Sequence, residues 1–536
     1  MSRYRSILVV FSCVLVCLLL ATGAFAQSDT AQISGYVKDA TGAMVPNANV
    51  TLKHETTGFE RQGKTNETGY YVVSNLPPGY YSLTVEAPGF KKYIKTQNKL
   101  DANIPATIDA VLEVGAVAET VEVVAEAARL QSETATVGRL IDSQTISNMM
   151  LNGRNPLLLA LLKPGVRGGS LAGFTYNLTS GGFSINGSRT QDFLITFDGA
   201  VAIRTRANGT GIGAADVDTV QEIQILTANY AAEYGRSAGG QVRIITKSGS
   251  RDFHGDFYEY FRNNELDANS WSRNRARQDR EARKFNQFGY LLSGPAYIPG
   301  KLNADRNKLF WLWGQEWVRF RRESTSIQVV PSLLMRQGNF SELLGSNPFF
   351  STPRVVNDPL TGQPFPGNII PSGRLSSNGL GFLRAYPEPT PGFLQGRSNF
   401  IQTRPEPANQ RKDTLSLDFQ PSERHNFRFR HQNYNWTQLD AFRGGFDRAV
   451  TDWSRPNKTA SLNYVWTISP TLVNEFLATA SVDRVFIGVQ REGERFARSK
   501  YGINYPYIFP ERKEIFDKIP TIDIASFATV DGGPYP

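Results

Sequence analysis

The sequence predicts an all-β-dominated protein: an N-terminal β-sandwich, a mixed α/β domain, and part of a transmembrane antiparallel β-barrel. Three observations lead there. Short segments near the amino end alternate apolar and polar residues between explicit turns, the period of a half-buried strand. From Phe253 onward the strands lengthen, with aromatic residues on one face and polar residues on the other, as expected of strands between lipid and a polar lumen. Beyond the amino terminus no apolar run reaches the ~18 residues of a spanning helix, so passage through a membrane would require a closed barrel.

The amino terminus sets the compartment. Arg3 and Arg5 precede an apolar run from Ile7 to Leu20, and Ala24-Phe25-Ala26 forms a small-x-small site before Gln27. This is the pattern of a secretory signal peptide over residues 1–26, cleaved between Ala26 and Gln27. Cys13 and Cys17 lie inside the apolar run, so the mature chain carries neither a disulfide framework nor a catalytic thiol. The net charge of +9 suits an anionic surface or ligand; nucleic acid is not expected as a partner of an exported chain. The 4 histidines, His54, His254, His425 and His431, form no H-x-x-E or H-E-x-x-H pair, so no metal or other cofactor is expected.

Residues 31–114 read as the sandwich. Ile33, Gly35 and Val37 alternate with polar neighbours, as do Val50 and Leu52, Tyr71 and Val73, Tyr81, Leu83 and Val85, and Ala110 and Leu112. Turns stand between them at Asp39–Gly42, Asn66–Gly69 and Leu76–Gly79. The stretches GYVKDATGAMVPNANVTL and TNETGYYVVSNLPPGYYSLTVEAPGF resemble the carboxypeptidase regulatory-like domain. That resemblance implies a Greek-key sandwich of the carbohydrate-binding-like group and no peptidase activity.

Residues 115–130 read as a linker. Within it Thr120, Val121, Glu122, Val123, Val124 and Ala125 alternate apolar and polar residues with neither Gly nor Pro. An extended segment of this kind adds to the sheet edge of a partner. It resembles a TonB box, the short peptide that the energising protein TonB grips from the periplasm; the other reading is an edge strand, or the last strand of the sandwich.

Residues 130–249 read as the mixed domain. Leu140–Thr145 opens a short helix, and RNPLLLALLKPGV (Arg154–Val166) is apolar at helical spacing and stops at Pro164-Gly165. FSINGSRTQDFLITFDGA (Phe183–Ala200) reads as a hairpin with turn dipeptides Asn186-Gly187 and Asp198-Gly199. In VDTVQEIQILTANYAAEYGRSAGGQVRIITKSG (Val217–Gly249) two apolar strands flank a small-residue turn. Here Val220, Glu222, Ile223, Ile225, Tyr234, Gly235, Gly239, Gly240, Ile244, Thr246, Lys247 and Gly249 resemble the end of the plug domain of TonB-dependent outer-membrane receptors. Arg154 and Arg189 are candidate ion-pair partners of the surrounding wall. Gly235-Arg-Ser-Ala-Gly239 also fits G-x-S-x-G, but a strand rather than a helix follows Ser237, against a nucleophile elbow.

Residues 250–536 read as the N-terminal part of a barrel. Leu309, Trp311, Trp313 and Trp317 share one face, with Gly314 and Glu316 on the other. Leu415, Leu417 and Phe419 alternate with Thr414, Ser416 and Asp418; Phe427 and Phe429 with Arg428 and Arg430; Ala460, Leu462, Tyr464, Trp466 and Ile468 with Ser461, Asn463, Val465 and Thr467. FHGDFYEYFRNNELDANSW, the Trp-rich strand, and the segments Val330–Leu343 and Ile370–Leu375 resemble the first strands and long first outer loop of the Oar-like subgroup of TonB-dependent receptors. Barrels that hold a plug have about 22 strands, roughly twice what these residues supply, so the sequence is expected to be a truncated barrel.

The resemblance implies a receptor in the outer membrane of a Gram-negative-type bacterium and no enzyme. It would bind a siderophore, oligosaccharide or peptide, move it with energy from TonB, and contact outer-membrane lipid and lipopolysaccharide. The basic run Ser272–Lys284 would meet lipopolysaccharide phosphates or simply be a solvated loop. The alternatives are a non-transporting adhesin or surface protein that binds carbohydrate or protein, and a secreted hydrolase, for which no catalytic set is present.

Overall fold

A computed structural model describes residues 30–531 except 103, 116–119, 125–135, 169–182, 190–191, 204–214, 231–233, 270, 272–273, 275–278, 444, 470–471, 491–493 and 507–516. The expected signal peptide and its Ala26–Gln27 cleavage site lie outside the described residues, as does Ala125.

The first unit is built from β1 (Ala31–Asp39), β2 (Asn49–His54), β3 (Glu60–Lys64), β4 (Tyr70–Leu76), β5 (Gly79–Glu86), β6 (Lys92–Leu100), β7 (Ala106–Thr107), β8 (Ala110–Leu112) and β9 (Thr120–Val124). One sheet holds β4, β1, β7 and β8; the other runs β3-β2-β5-β6-β9. Their inward residues, among them Ile33, Val37, Val50, Leu52, Leu83 and Val85, are fully buried. Period two puts those side chains on one face of each sheet, and burying both faces together makes the sandwich. The expected linker is therefore not all connection. Its β-branched stretch Thr120–Val124 pairs in parallel with β6, Lys92 opposite Thr120 and Thr96 opposite Val124, and forms the sheet edge.

The second unit contains β10 (Val137–Asp142), α1 (Ser143–Asn148), β11 (Val166–Gly168), β12 (Phe183–Ile185), β13 (Phe193–Phe197), β14 (Ala200–Val201), β15 (Val220–Ala228) and β16 (Gly240–Thr246). Its main sheet has the order β10-β15-β16-β13-β14. A short helix is present in the expected stretch but starts at Ser143, with the Asp142 carboxylate capping the Thr145 amide, while Leu140–Asp142 ends β10. Two local expectations need correction. Pro156–Leu162 is a 3₁₀ segment, not an α-helix: its ends close with i→i+3 bonds, the Leu158 amide to the Asn155 carbonyl and the Lys163 amide to the Ala160 carbonyl. Phe183–Ala200 is not one hairpin. Asp198-Gly199, with φ of 45° and 81°, joins β13 to β14, but β12 pairs with β11.

The third unit is a curved antiparallel sheet of β17 (His254–Asn263), β18 (Arg283–Pro295), β19 (Leu309–Gln328), β20 (Phe400–Pro405), β21 (Ala408–Ser422), β22 (His425–Asp440), β23 (Thr451–Ser469), β24 (Leu472–Asp483) and β25 (Phe486–Val489). The long strands follow one another as β17-β18-β19-β21-β22-β23-β24, and among the described strands β17 and β24 are the ends of that path. Residues 329–399 fold over one end around α2 (Ser377–Ala385) and a small aromatic-rich core that includes Tyr386 and Phe446. No helix among the described residues is long and apolar enough to cross a membrane, which says nothing of crossing by strands.

Candidate functional site: the plug seat and its two interfaces

The second unit sits inside the curve of the third. Tyr434 and Trp436 of β22 belong to the same buried cluster as Leu157, Phe193, Ile195, Val220 and Ile223, so the wall completes the core of the inner unit. The paired glycines of the β15–β16 turn are needed for close approach: a Cβ at Gly239 would lie 2.6 Å from the Asp192 carbonyl oxygen and one at Gly240 2.6 Å from that of Leu226. Gly249 serves the wall itself, since a Cβ there would come within 2.7 Å of the Trp311 nitrogen on β19.

A charged cluster fastens the inner unit to the wall. Arg154 lies 2.5 Å from Asp218, 3.8 Å from Asp216 and, on the wall, 3.7 Å from Glu316. Its guanidinium stacks over Tyr258 and Tyr260 of β17 at 4.5 and 4.7 Å. Glu316 in turn accepts from Lys412 at 2.5 Å and from Gln287 at 2.9 Å; the Tyr258 hydroxyl lies 2.8 Å from Asp216 and 3.1 Å from Glu316 and gives its single hydrogen to one of them. Burial alone would lower the Arg154 pKa; Asp218 and Asp216 outweigh it and raise it, so the charge is permanent. Burial, then Asp216, raises Asp218. Arg154 itself has φ of 50°, a left-handed conformation that costs an L-residue about 1–2 kcal/mol and is held here by its partners. Of the two arginines expected to face the wall, Arg154 does so; Arg189 is exposed. A second contact joins Arg430 to Ser248 at 2.9 Å and to Asp418 at 2.8 Å.

The other interface faces the sandwich. The chain leaving β6 turns at Asp101–Ala102 against β15: the Ala102 amide donates to Glu222 at 3.0 Å, and Gln224 Nε2 donates to Glu222 at 2.9 Å and to the Ala102 carbonyl. Gln224 accepts from Arg243 at 3.0 Å, and Arg243 donates to the Tyr234 hydroxyl at 3.1 Å. Tyr234 and Glu222 of the plug-like motif are thus ends of one buried network. Burial, then the nearby Asp101, pushes the Glu222 carboxyl up to about 8. Beside it Lys99 bridges to Asp142 at 3.0 Å and to Asp101 at 3.4 Å. Burial would raise Asp142, but its cap bond to Thr145 and the bond from Lys99 hold it down at about 2. The sandwich also reaches the wall, where Arg61 donates to the Glu423 carbonyl and the Thr467 hydroxyl.

Ser237, the residue of the G-x-S-x-G string, has its hydroxyl engaged by the backbone: it donates to the Asp192 carbonyl at 2.9 Å and accepts from the Gly240 amide at 3.1 Å. It closes the turn before β16. Sequence reading reached Arg154 and the motif residues and put Glu316 on the inward face, but missed Asp216, Asp218, Tyr258, Lys412, Lys99 and Gln224. The available signal was a buried-side Lys or Glu in an amphipathic strand, a position where an unpaired charge is costly.

Three family models match in the same order. The carboxypeptidase regulatory-like domain matches residues 32–113, the TonB-dependent receptor plug domain 131–242, and the outer membrane β-barrel domain 245–536. A curated relative, the TonB-dependent transporter Oar of Myxococcus xanthus, is 29% identical over 295 residues, which is 52% of this chain and 26% of that protein. The outer membrane transporter YddB of Escherichia coli aligns at a TM-score of 0.39 and 9% identity, over 65% of this chain and 39% of its own. The ferric enterobactin receptor PfeA of Pseudomonas aeruginosa aligns at 0.33 and 13%, over 67% and 47%. The chain thus spans about a quarter of the curated relative and less than half of these solved structures.

Proposed function

For a chain that belongs to the outer-membrane β-barrel family and carries the plug of TonB-dependent receptors in the Oar-like order of domains, we propose the function of a TonB-energised importer. A ligand binds at the outer face, to the plug and the folded loop 329–399. TonB grips Thr120–Ala125 from the periplasm, and its pull rearranges the plug within the wall. The ligand is a siderophore, an oligosaccharide or a peptide. Export proceeds through the leader ending at Ala26, and the outer surface meets lipid and lipopolysaccharide. No covalent chemistry is involved.

One observation carries this reading. Beside the apolar contact of Tyr434 and Trp436, the inner unit is held in the wall by polar and ionic contacts around Arg154. Polar contacts exchange with water at small net cost, so such a seat suits a part that moves.

The test pairs two measurements. Val123→Pro removes a backbone donor from the gripped strand and fixes its φ, so crosslinking to TonB is expected to disappear while the protein still fractionates with the outer membrane. Undiminished crosslinking of the variant defeats the assignment of Thr120–Ala125. The mature amino terminus is expected at Gln27 by mass spectrometry.

A further inference from the structure

The gripped segment is not loose in the structure. As β9 it is the last strand of the sheet β3-β2-β5-β6-β9, in parallel register with β6 from Lys92 opposite Thr120 to Thr96 opposite Val124. Among the described strands it has no neighbour on its other side. An edge strand offers a row of backbone donors and acceptors to any further strand. A partner adding there keeps every β6–β9 bond, whereas a partner that takes β9 away must first break them. From Thr96 the β6 strand continues only a few residues to Lys99 and Ala102, which hold Asp142 and Glu222 of the plug.

We infer that the sandwich presents the TonB box as a preformed edge strand: a strand of the periplasmic domain of TonB joins the sheet outside β9, and the pull enters the plug through β6 and its Lys99–Ala102 corner as well as through the connecting chain. This rests on Thr120–Ala125 being the segment TonB grips. The sandwich is then a coupling part of the transporter rather than an appended binding module.

Disulfide locks separate the possibilities. The full-length chain carries Ile94→Cys with Glu122→Cys, partners in the register, or Lys92→Cys with Thr120→Cys as a second pair. Bond formation is verified by mass spectrometry. The probe is the purified periplasmic domain of TonB, with affinity measured on oxidised and reduced protein in nanodiscs. Equal affinity in the two states, within about threefold, is the expected result, because β9 need not leave β6. A loss of about tenfold or more on oxidation alone overturns the inference and leaves the TonB assignment standing. Absence of binding even by the unmodified chain overturns both. The corner is tested with Lys99→Ala, which removes the bridge to Asp142 at the end of β10: addition of the TonB domain is expected to change amide exchange in β10 of the parent protein and to change it much less in the variant, with TonB affinity retained. An equal response in β10 of the variant sinks the proposed route.

Discussion

The sandwich and the curved sheet are written with the same alternation and partition it in opposite senses. In β2 and β5 the apolar residues Val50, Leu52, Leu83 and Val85 point inward and are fully buried. In β21 to β23 the apolar Leu417, Phe419, Leu462 and Trp466 point outward and are 36%, 42%, 41% and 41% exposed, while Ser416, Arg428, Arg430 and Asn463 of the opposite face are buried. Period two decides that a strand has two faces; the medium on each side decides which face is apolar. Where water surrounds the sheet the apolar face turns in, and where lipid does, it turns out.

The strongest way to break this contrast is a charge on the inward apolar face of the sandwich. Leu83→Asp buries an unpaired carboxylate and is expected to cost more than about 4 kcal/mol, unfolding the sandwich; limited proteolysis of the full chain should cut within 31–114 and spare the curved sheet. Next comes the inward polar face of the wall. Arg154→Met leaves the buried Asp216 and the partly buried Asp218 without their cation, while Glu316 keeps Lys412, a loss of about 3 kcal/mol, read as release of the plug to protease at lower denaturant. On the outward face, Leu462→Arg is expected to cost about 2–4 kcal/mol if the site lies at the bilayer midplane, measured by urea unfolding in lipid, while the same change at Leu83 would not fold at all.

The smallest effect lies where the sandwich meets the plug that the curved sheet holds. The Glu222 carboxyl is raised from 4.5 to about 8, so the docked sandwich favours the protonated form. That contribution is fully present below pH 4.5, declines as the pH rises towards 8, and is exhausted above it. Asp142, held at about 2, stays ionised across that window, and Lys99, raised above 10.5 mainly by Asp101 and Asp142 against the lowering effect of burial, stays charged. Amide exchange at Ala102, whose N–H bonds to Glu222, should therefore quicken between pH 5 and 8 beyond the intrinsic pH dependence of exchange. Glu222→Gln, which mimics the protonated acid, is expected to flatten the profile while altering stability at pH 5 by less than about 1 kcal/mol.

Much of the fold is legible locally. The turns at Asp39–Gly42 and Asn66–Gly69, the β15 and β16 strands and the outward Trp311, Trp313 and Trp317 follow from alternation and turn chemistry that a few neighbouring residues decide. The errors lie where a short segment has two local solutions. Pro156–Leu162 has helical spacing, which over one or two turns the tighter 3₁₀ winding satisfies as well, and Asn186-Gly187 makes a turn whose strand β12 takes β11 rather than β13 as its partner.

By itself the sequence determined the order of the three units, the two-faced character of their strands, the family and the glycines that close approach requires. Those depend on residues near one another in the chain or on steric limits of a single residue. Only the tertiary structure decided that Thr120–Val124 joins β6, that Arg154 meets Asp216, Asp218, Tyr258 and Glu316, and that Glu222 lies under Ala102. These partners come from strands and turns distant in sequence, and no local pattern encodes a contact whose energy exists only once both elements are packed and water has left between them.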